Sequence, residues 1–503
     1  MLTAAIFVPL AGAIAVLLLR GLDARLLRIV ATIIASLPLV IVIIAWLRFD
    51  TGQGGFQLVE SARWIPSLGA SYNVGLDGLS LPLAALTAVL FPLAIAYPTD
   101  DMGRLREYLG WFLFLESMSL GLFLALDLLL FYVFLDLSLV GMYFLIGQWG
   151  HGDARRSALK FFLYTLAGTL LVLLGIFGLY LKMTPRTFDM AEIIRAQPLA
   201  GNAFAGGLVF LAFIIGFGIK IPIVPFHTWL PPAHVDAPGP ASTILAGVLL
   251  KMGTYAYIRI VLAMLPEAFQ RYAVWVGVLA VVSIVYGALV SLGQTNLKRR
   301  IAYTSVNHMG YVVLGVAAAA AIGKGSLEAR QLALTGATVE MVAHGLITGA
   351  LFLLSGSVWN RGEEYDLEAY GGLTSRAPAM AGMTILFAFA SLGLPGLAGF
   401  VAEFQVFVGT FDVFPWLAGI GLLGILITAA LFLQALQKLF FGELPQRWRA
   451  WPDLGPVEVA ALVPLAALVV IIGVAPAWLL DVVNSASRSI LAAAASAARS
   501  AVG

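Results

Sequence analysis

The chain contains no cysteine and very little charge. Without a thiol it can hold no cysteine-ligated iron–sulfur cluster, zinc ribbon, disulfide or thiol nucleophile, so redox chemistry linked to this protein belongs on another chain. Its 29 Lys+Arg and 27 Asp+Glu amount to 11% of 503 residues, under half the roughly 25% of a soluble domain. The net charge of +2 excludes a strongly basic nucleic-acid binder and an acidic solvating chain. No Gly-x-x-x-x-Gly-Lys loop followed by Ser or Thr occurs, so an ATP-driven mechanism has no phosphate cradle. What is present is apolar: hydrophobic residues make up 61%, and mean hydropathy is +0.97. Too few polar groups remain to cover a soluble globule. The composition is that of an integral membrane protein.

A helix needs about 20 apolar residues to cross roughly 30 Å of hydrocarbon. Candidate stretches are 2–19, 26–47, 78–98, 109–125, 128–148, 157–181, 204–224, 239–263, 272–292, 300–321, 332–358, 378–409, 415–439 and 457–480, fourteen in all. An all-α membrane protein is expected. The first stretch is expected to be retained, because its arginines follow it instead of preceding it. With the N-terminus outside, cytoplasmic loops would hold Arg20, Arg25, Arg28, Arg104, Arg106, Arg155, Arg156, Lys160, Lys298, Arg299, Arg300, Arg361, Arg376, Lys438, Arg447 and Arg449, 16 of the 29 cations. That excess has the sign of the positive-inside rule, and an even count then puts both termini outside. The Ala/Ser-rich tail 481–503 reads as a short surface helix.

Two stretches are broken. In Gly218-Ile-Lys220-Ile-Pro222-Ile-Val-Pro225 two prolines remove N–H donors, leaving the carbonyls of Gly218 and Ile221 without helical partners. Pro395, in Gly393-Leu-Pro395-Gly396, does the same to Ser391. Such breaks survive in a membrane only inside protein or beside a wet cavity. They fall in the seventh and twelfth stretches, five apart, which is the sign of an internal repeat with ions handled near the midplane. The repeats would be two inverted five-helix units within 109–263 and 264–439, flanked by 1–108 and 440–503.

Ionisable residues inside the stretches are functional candidates because each costs several kcal/mol there. They are Glu116, Asp136, Lys220, Lys251, His308, Glu340, His344 and Glu403. Each has a plain structural reading as well. Asp127 suits the cap of the helix beginning at Leu128. Glu116 and Asp136 could be structural partners of Lys220, and the two lysines could rest on freed carbonyls. Glu340 could pair only with His344, four residues on, and the histidines could be satisfied core residues. The joint order Glu, Asp, Lys, Lys, His, His, Glu favours a proton relay, since a buried lysine that gains and loses a carboxylate partner swings towards and away from releasing its proton.

Three runs carry a resemblance. Phe217-Gly-Ile-Lys220-Ile-Pro-Ile-Val-Pro-Phe-His227-Thr-Trp-Leu-Pro-Pro-Ala-His234, Leu245-Ala-Gly-Val-Leu-Leu-Lys251-Met-Gly and Asn296-Leu-Lys-Arg-Arg-Ile-Ala-Tyr-Thr-Ser-Val-Asn-His308-Met-Gly resemble the antiporter-like membrane subunits of respiratory complex I. The likeness runs from Val74-Gly-Leu-Asp-Gly-Leu-Ser through Asp366-Leu-Glu-Ala-Tyr-Gly-Gly-Leu to the final stretches. Glu403 is similar to M-type members, because L- and N-type chains and antiporter relatives usually carry lysine there.

The resemblance implies proton translocation driven by quinone reduction elsewhere in an NADH-quinone oxidoreductase. Flavin mononucleotide, iron–sulfur clusters and quinone would sit on partner subunits, with no cofactor or metal on this chain. The neighbours would be the L- and N-type chains in a prokaryotic inner, or equivalent energy-coupling, membrane, with no nucleic acid. Asp136, Lys220, Lys251, His308, His344 and Glu403 would form the relay, with Glu116 and Glu340 as accessories and Pro222, Pro225 and Pro395 as helix breaks. Two departures stand out: Asp136 is one methylene shorter than the family's glutamate, and Glu340 replaces an uncharged amide. The rival readings are a subunit of a cation/proton antiporter or membrane-bound hydrogenase, and a structural spacer.

Overall fold

The computed structural model describes residues 1–19, 21–99 and 103–500. Arg20, one of the expected loop cations, and residues 501–503 of the tail lie outside the described residues.

The chain opens with α1 (Leu2–Leu18) and α2 (Ala24–Arg48), the latter capped by the Asp23 side chain on the Leu26 N–H. A hairpin of β1 (Gln57–Ile65) and β2 (Ala70–Leu76) follows, so the expectation of an all-helical chain needs correcting. Pro66 and Gly69 punctuate its turn, and Gly69 adopts φ +69° where a Cβ would strike the Arg186 carbonyl at 2.4 Å. Next come α3 (Ser80–Ala96), α4 (Leu105–Leu124), α5 (Leu128–Trp149) and α6 (Ala154–Tyr180). Asp127 caps α5 by accepting from the Leu129 and Leu130 N–H groups, the plain reading of that residue. A short α7 (Met190–Ala196) leads into α8 (Ala203–Lys220).

At the first break α8 ends on Lys220, and α9 (Leu230–Asp236) resumes after a turn. The Gly218 carbonyl has lost its helical partner at Pro222, as expected, and accepts instead from the Ile223 N–H at 3.1 Å. The eighth stretch is composite. It comprises α10 (Gly239–Ile244), a π-helical run Leu245–Leu249, α11 (Leu250–Ala256) and a second π-helical run Tyr257–Leu262. The second half contains α12 (Pro266–Leu292), α13 (Leu297–Ala320), α14 (Leu327–Gly362), α15 (Pro378–Ser391), α16 (Ala398–Val413) and α17 (Pro415–Phe440). The second break lies between α15 and α16. The chain closes with α18 (Pro456–Val474) and α19 (Ala477–Ser500). Proline stands at the first turn of α12, α15, α17 and α18, where a missing N–H costs nothing.

A helix stands over each apolar stretch. Among the described residues nine helices, counting Gly239–Leu262 as one, are long and apolar enough to cross a membrane. Outward-facing side chains such as Leu47, Phe204 and Val474 are exposed and apolar, the surface that lipid rewards. The chain is a multi-pass membrane protein.

Helix α14 is the axis of the assembly. Its 36 residues would extend about 54 Å at 1.5 Å per residue, and it packs against α3, α10, α13, α15, α16, α18 and α19. Small residues permit this: a Cβ on Gly336 would meet the Val406 N at 2.6 Å, and one on Gly409 the Ala329 carbonyl at 2.5 Å. The tail differs from expectation. It is a 24-residue helix, α19, whose Leu479, Val482, Val483, Ala486, Ile490 and Leu491 are buried. Thr335 of α14 donates to Asn484 at 2.8 Å, tying the tail down.

A candidate proton relay

The first group surrounds the α8 break. Lys220 is buried at the end of α8, and its Nζ finds no hydrogen-bond partner among the described residues. Asp136 on α5 is half-buried and takes hydrogen bonds from Thr169 Oγ1 at 2.7 Å and Tyr132 Oη at 3.2 Å. No ion pair closes between Asp136 and Lys220 among the described residues. The two hydroxyl donors hold the Asp136 carboxylate instead. Glu116 on α4 is fully buried, and neither carboxylate oxygen is hydrogen-bonded among the described residues, so it does not pair with Lys220 either.

The second group is Lys251 and His344. The π-helical run before α11 shifts the backbone ladder by one residue. Lys251 Nζ donates to the Ala246 carbonyl there, and it meets His344 Nδ1 of α14 at 2.6 Å. Both residues are buried.

The third group gathers at the α15 break. His308 of α13 has Nδ1 2.9 Å from Glu340 Oε1 and 3.8 Å from Glu403 Oε1, with Nε2 3.1 Å from Ser391 Oγ. The expected pairing of Glu340 with His344 does not form. Glu340 turns to His308, and His344 turns to Lys251. The two histidine rings are 5.4 Å apart between centroids, so the groups join across the chain's middle. A neutral imidazole has one N–H and one acceptor nitrogen. A Glu340 carboxylate selects the Nδ1–H form of His308, leaving Nε2 to accept from Ser391; a protonated His308 donates from both nitrogens.

His308, Glu340 and Glu403 offer ligand atoms within 4.8 Å of one another, a set that could gather a cation. Both His308 nitrogens already have partners, however, and the same spacing serves proton sharing. Gly393 shapes this end of the site: at φ +77°, its added Cβ would fall 2.4 Å from Glu403 Oε2. Only glycine lets the broken backbone approach the carboxylate this closely.

Several buried polar residues were not singled out by the sequence. Lys298 and Arg300, read as loop cations, are buried on the first turn of α13. Arg259 is buried too, its guanidinium 2.6 Å from Asp77 beyond the hairpin. His234, quoted in a motif without a role, is buried, with neither ring nitrogen partnered among the described residues. Helical spacing alone gave no signal for these, because cations near the ends of stretches read as loop residues.

Residues 125–429 match the family described as NADH:quinone oxidoreductase/Mrp antiporter, transmembrane. The chain is 38% identical over 496 residues to NADH-quinone oxidoreductase subunit M of Rhodobacter capsulatus, covering 95% of this chain and 94% of that protein. It is 37% identical over 487 residues to an NAD(P)H-quinone oxidoreductase chain 4 of Picosynechococcus sp., covering 94% and 89%. Its structure is similar to a chain of respiratory complex I from Thermus thermophilus with bound NADH, with TM-score 0.86, 29% identity and full coverage of both chains. On these grounds the chain belongs to the antiporter-like membrane family of NADH:quinone oxidoreductases and, within it, to the subunit M branch.

Proposed function

We propose that the chain is a proton-translocating membrane subunit of an NADH-quinone oxidoreductase, a non-redox part of that enzyme. It would take up and release protons as quinone is reduced on other subunits. The observation that carries this reading is the buried line Lys251, His344 and His308, joined by a hydrogen bond and a ring contact, with Glu340 hydrogen-bonded to His308 and Glu403 3.8 Å from it. Two unit charges about 4 Å apart interact by roughly 4 kcal/mol at an effective dielectric of 20. That changes a neighbour's proton occupancy about a thousandfold. A proton arriving on Lys251 therefore repels one from His344 towards His308 and the carboxylates beyond.

In this reading Asp136 and Lys220 load the relay, Lys251 and the two histidines bridge it, and Glu403 is the exit. Pro222, Pro225 and Pro395 keep both helices broken, and Glu116 and Glu340 are accessory carboxylates. The fourteen stretches would all cross the membrane with both termini outside. The halves 109–263 and 264–439 would be inverted repeats, framed by 1–108 and 440–503. The neighbours would be the L- and N-type chains, with flavin, iron–sulfur clusters and quinone on partner subunits.

Vesicles containing the assembled complex test the reading. Lys220→Ala and Glu403→Gln are expected to abolish proton uptake while assembly survives. Glu403→Lys, which keeps an ionisable group, is expected to pump partially. Full pumping by Lys220→Ala or Glu403→Gln would remove that residue from the mechanism.

A further inference from the structure

Away from the polar line, α2 and α3 hold a cleft between them. On α2, Leu39, Val42, Ile43 and Trp46 follow the i, i+3, i+4, i+7 spacing of one helix face. On α3, Pro82, Ala85, Leu86 and Val89 do the same. Two such stripes ordinarily close on each other as core. Here the helices are tied at one end, where Arg28 of α2 donates to the Tyr97 carbonyl at 2.5 Å and to Thr99 Oγ1 at 3.0 Å. Towards the other end a cavity of about 440 Å³ is lined by all eight stripe residues. Its back wall is the buried pair Val342 and Leu346 of α14, and residues of α18 and α19 complete the rim.

The cavity opens sideways at Ile43 and Leu47, which line it and are also exposed on the outer surface of α2. From Leu39 to Trp46 it follows α2 for seven residues, about 10 Å along the axis. Because α2 is long and apolar enough to cross a membrane, this depth lies along the membrane normal. At the end of the cleft Trp46 meets Trp478 of α19, with ring centroids 5.3 Å apart. Tryptophan favours the boundary between hydrocarbon and headgroups. Arg48, in the last turn of α2, is exposed just beyond that pair.

Protein interiors leave few voids larger than a water molecule, and this one has the size of a ligand pocket, about 300–1,000 Å³. Apart from the two rim indoles, no lining residue carries a polar side chain. Apolar cavities of this kind stay dry and take up apolar molecules. We propose that the cleft seats one phospholipid, with an acyl chain between α2 and α3 and the phosphate beside Arg48. The chain enters from the bilayer past Ile43 and Leu47 and ends against Val342 and Leu346. The headgroup stays at the level of the tryptophans, where the guanidinium meets its charge. A quinone fits less well: its ring carbonyls find no donor along the inner walls, and it brings no charge to Arg48. The seat lies behind the helix that carries His344. Leu86 packs so tightly there that a Cβ on Gly345 would lie 2.5 Å from its Cδ2.

The test uses the assembled complex in phosphatidylethanolamine vesicles containing a phospholipid with a photoreactive diazirine in its acyl chain. Labelled residues are mapped by peptide mass spectrometry after illumination. Bulk lipid reaches the exposed Val40 and Ile44 of α2; the proposal expects labels on Leu86, Val342 and Leu346 as well. Labels confined to outward-facing residues overturn it. Ala85→Trp combined with Val89→Phe fills the cleft and is expected to lose the inner labels while keeping the outer ones; unchanged inner labelling overturns the proposal. Should that variant fail to assemble, Arg48→Gln decides. Its ratio of inner to outer labelling is expected to fall, and an unchanged ratio overturns the placement of the phosphate. Inner labelling by a quinone carrying the same diazirine, undiminished by added phospholipid, assigns the cleft to quinone and likewise overturns the proposal.

Discussion

Gly393→Ala separates the geometry of the exit from mere backbone strain. Gly393 and Gly396 flank Pro395 in the second break, with φ +77° and +91°. Alanine at either position incurs a left-handed backbone cost of about 1–2 kcal/mol. Only at Gly393 does the new Cβ also collide, lying 2.4 Å from Glu403 Oε2; at Gly396 it meets nothing within 4 Å. Restoring an ordinary contact of about 3.5 Å requires Glu403 to retreat by roughly 1 Å. The carboxylate is 3.8 Å from His308 Nδ1, already longer than a direct hydrogen bond, so a displacement of that size changes a separation with no slack in it. Misplacement of about 1 Å costs on the order of a hundredfold at a reacting centre. Gly393→Ala is therefore expected to reduce proton uptake by one to two orders of magnitude, and Gly396→Ala to remain near wild type. Uptake would be read with a trapped pH-sensitive dye in vesicles holding equal amounts of assembled complex. Equal uptake by the two variants would refute the placement of Glu403 at the exit.

Asp136→Glu is expected to pump and Asp136→Asn not to, because charge matters more at Lys220 than one methylene; equal uptake by the two would remove the aspartate's charge from the loading step. Glu340→Gln keeps an acceptor for His308 Nδ1 and is expected to retain pumping, whereas Glu340→Leu, which removes it, is expected to lose most of it, again by vesicle uptake. Asp77→Ala strands the buried Arg259 guanidinium, now 2.6 Å from its partner. Breaking a buried pair costs about 3–5 kcal/mol, so the detergent-solubilised complex should denature at a clearly lower temperature, with partial recovery in Asp77→Glu.

The sequence by itself determined the medium, the helices and the breaks. Apolar runs of membrane length leave no other solvent, and Pro222, Pro225 and Pro395 interrupt α-helix wherever they stand. The candidate residues were legible for the same reason: an Asp, Lys, His or Glu inside an apolar run needs an explanation. Even the caps could be read, as Asp127 before Leu128 shows. The hairpin at 57–76 went unread because short strands between long apolar stretches carry little periodic signal.

Pairing was decided only by the tertiary structure. Glu340 and His344, four apart on one helix, looked like partners, yet α14 is crowded on all sides and each found a better one across it, in His308 and Lys251. Lys298 looked like a loop cation, but packing buried the first turn of α13 and set its ammonium on the Ala237 carbonyl. Asp136 forms no ion pair with Lys220; its oxygens are held by Tyr132, one turn back on α5, and by Thr169 of α6. Sequence spacing fixes which residues share a helix face. Which face meets which depends on how closely backbones approach, and that was set by glycines such as Gly336, Gly393 and Gly409, whose missing side chains carry no signal until their neighbours are in place.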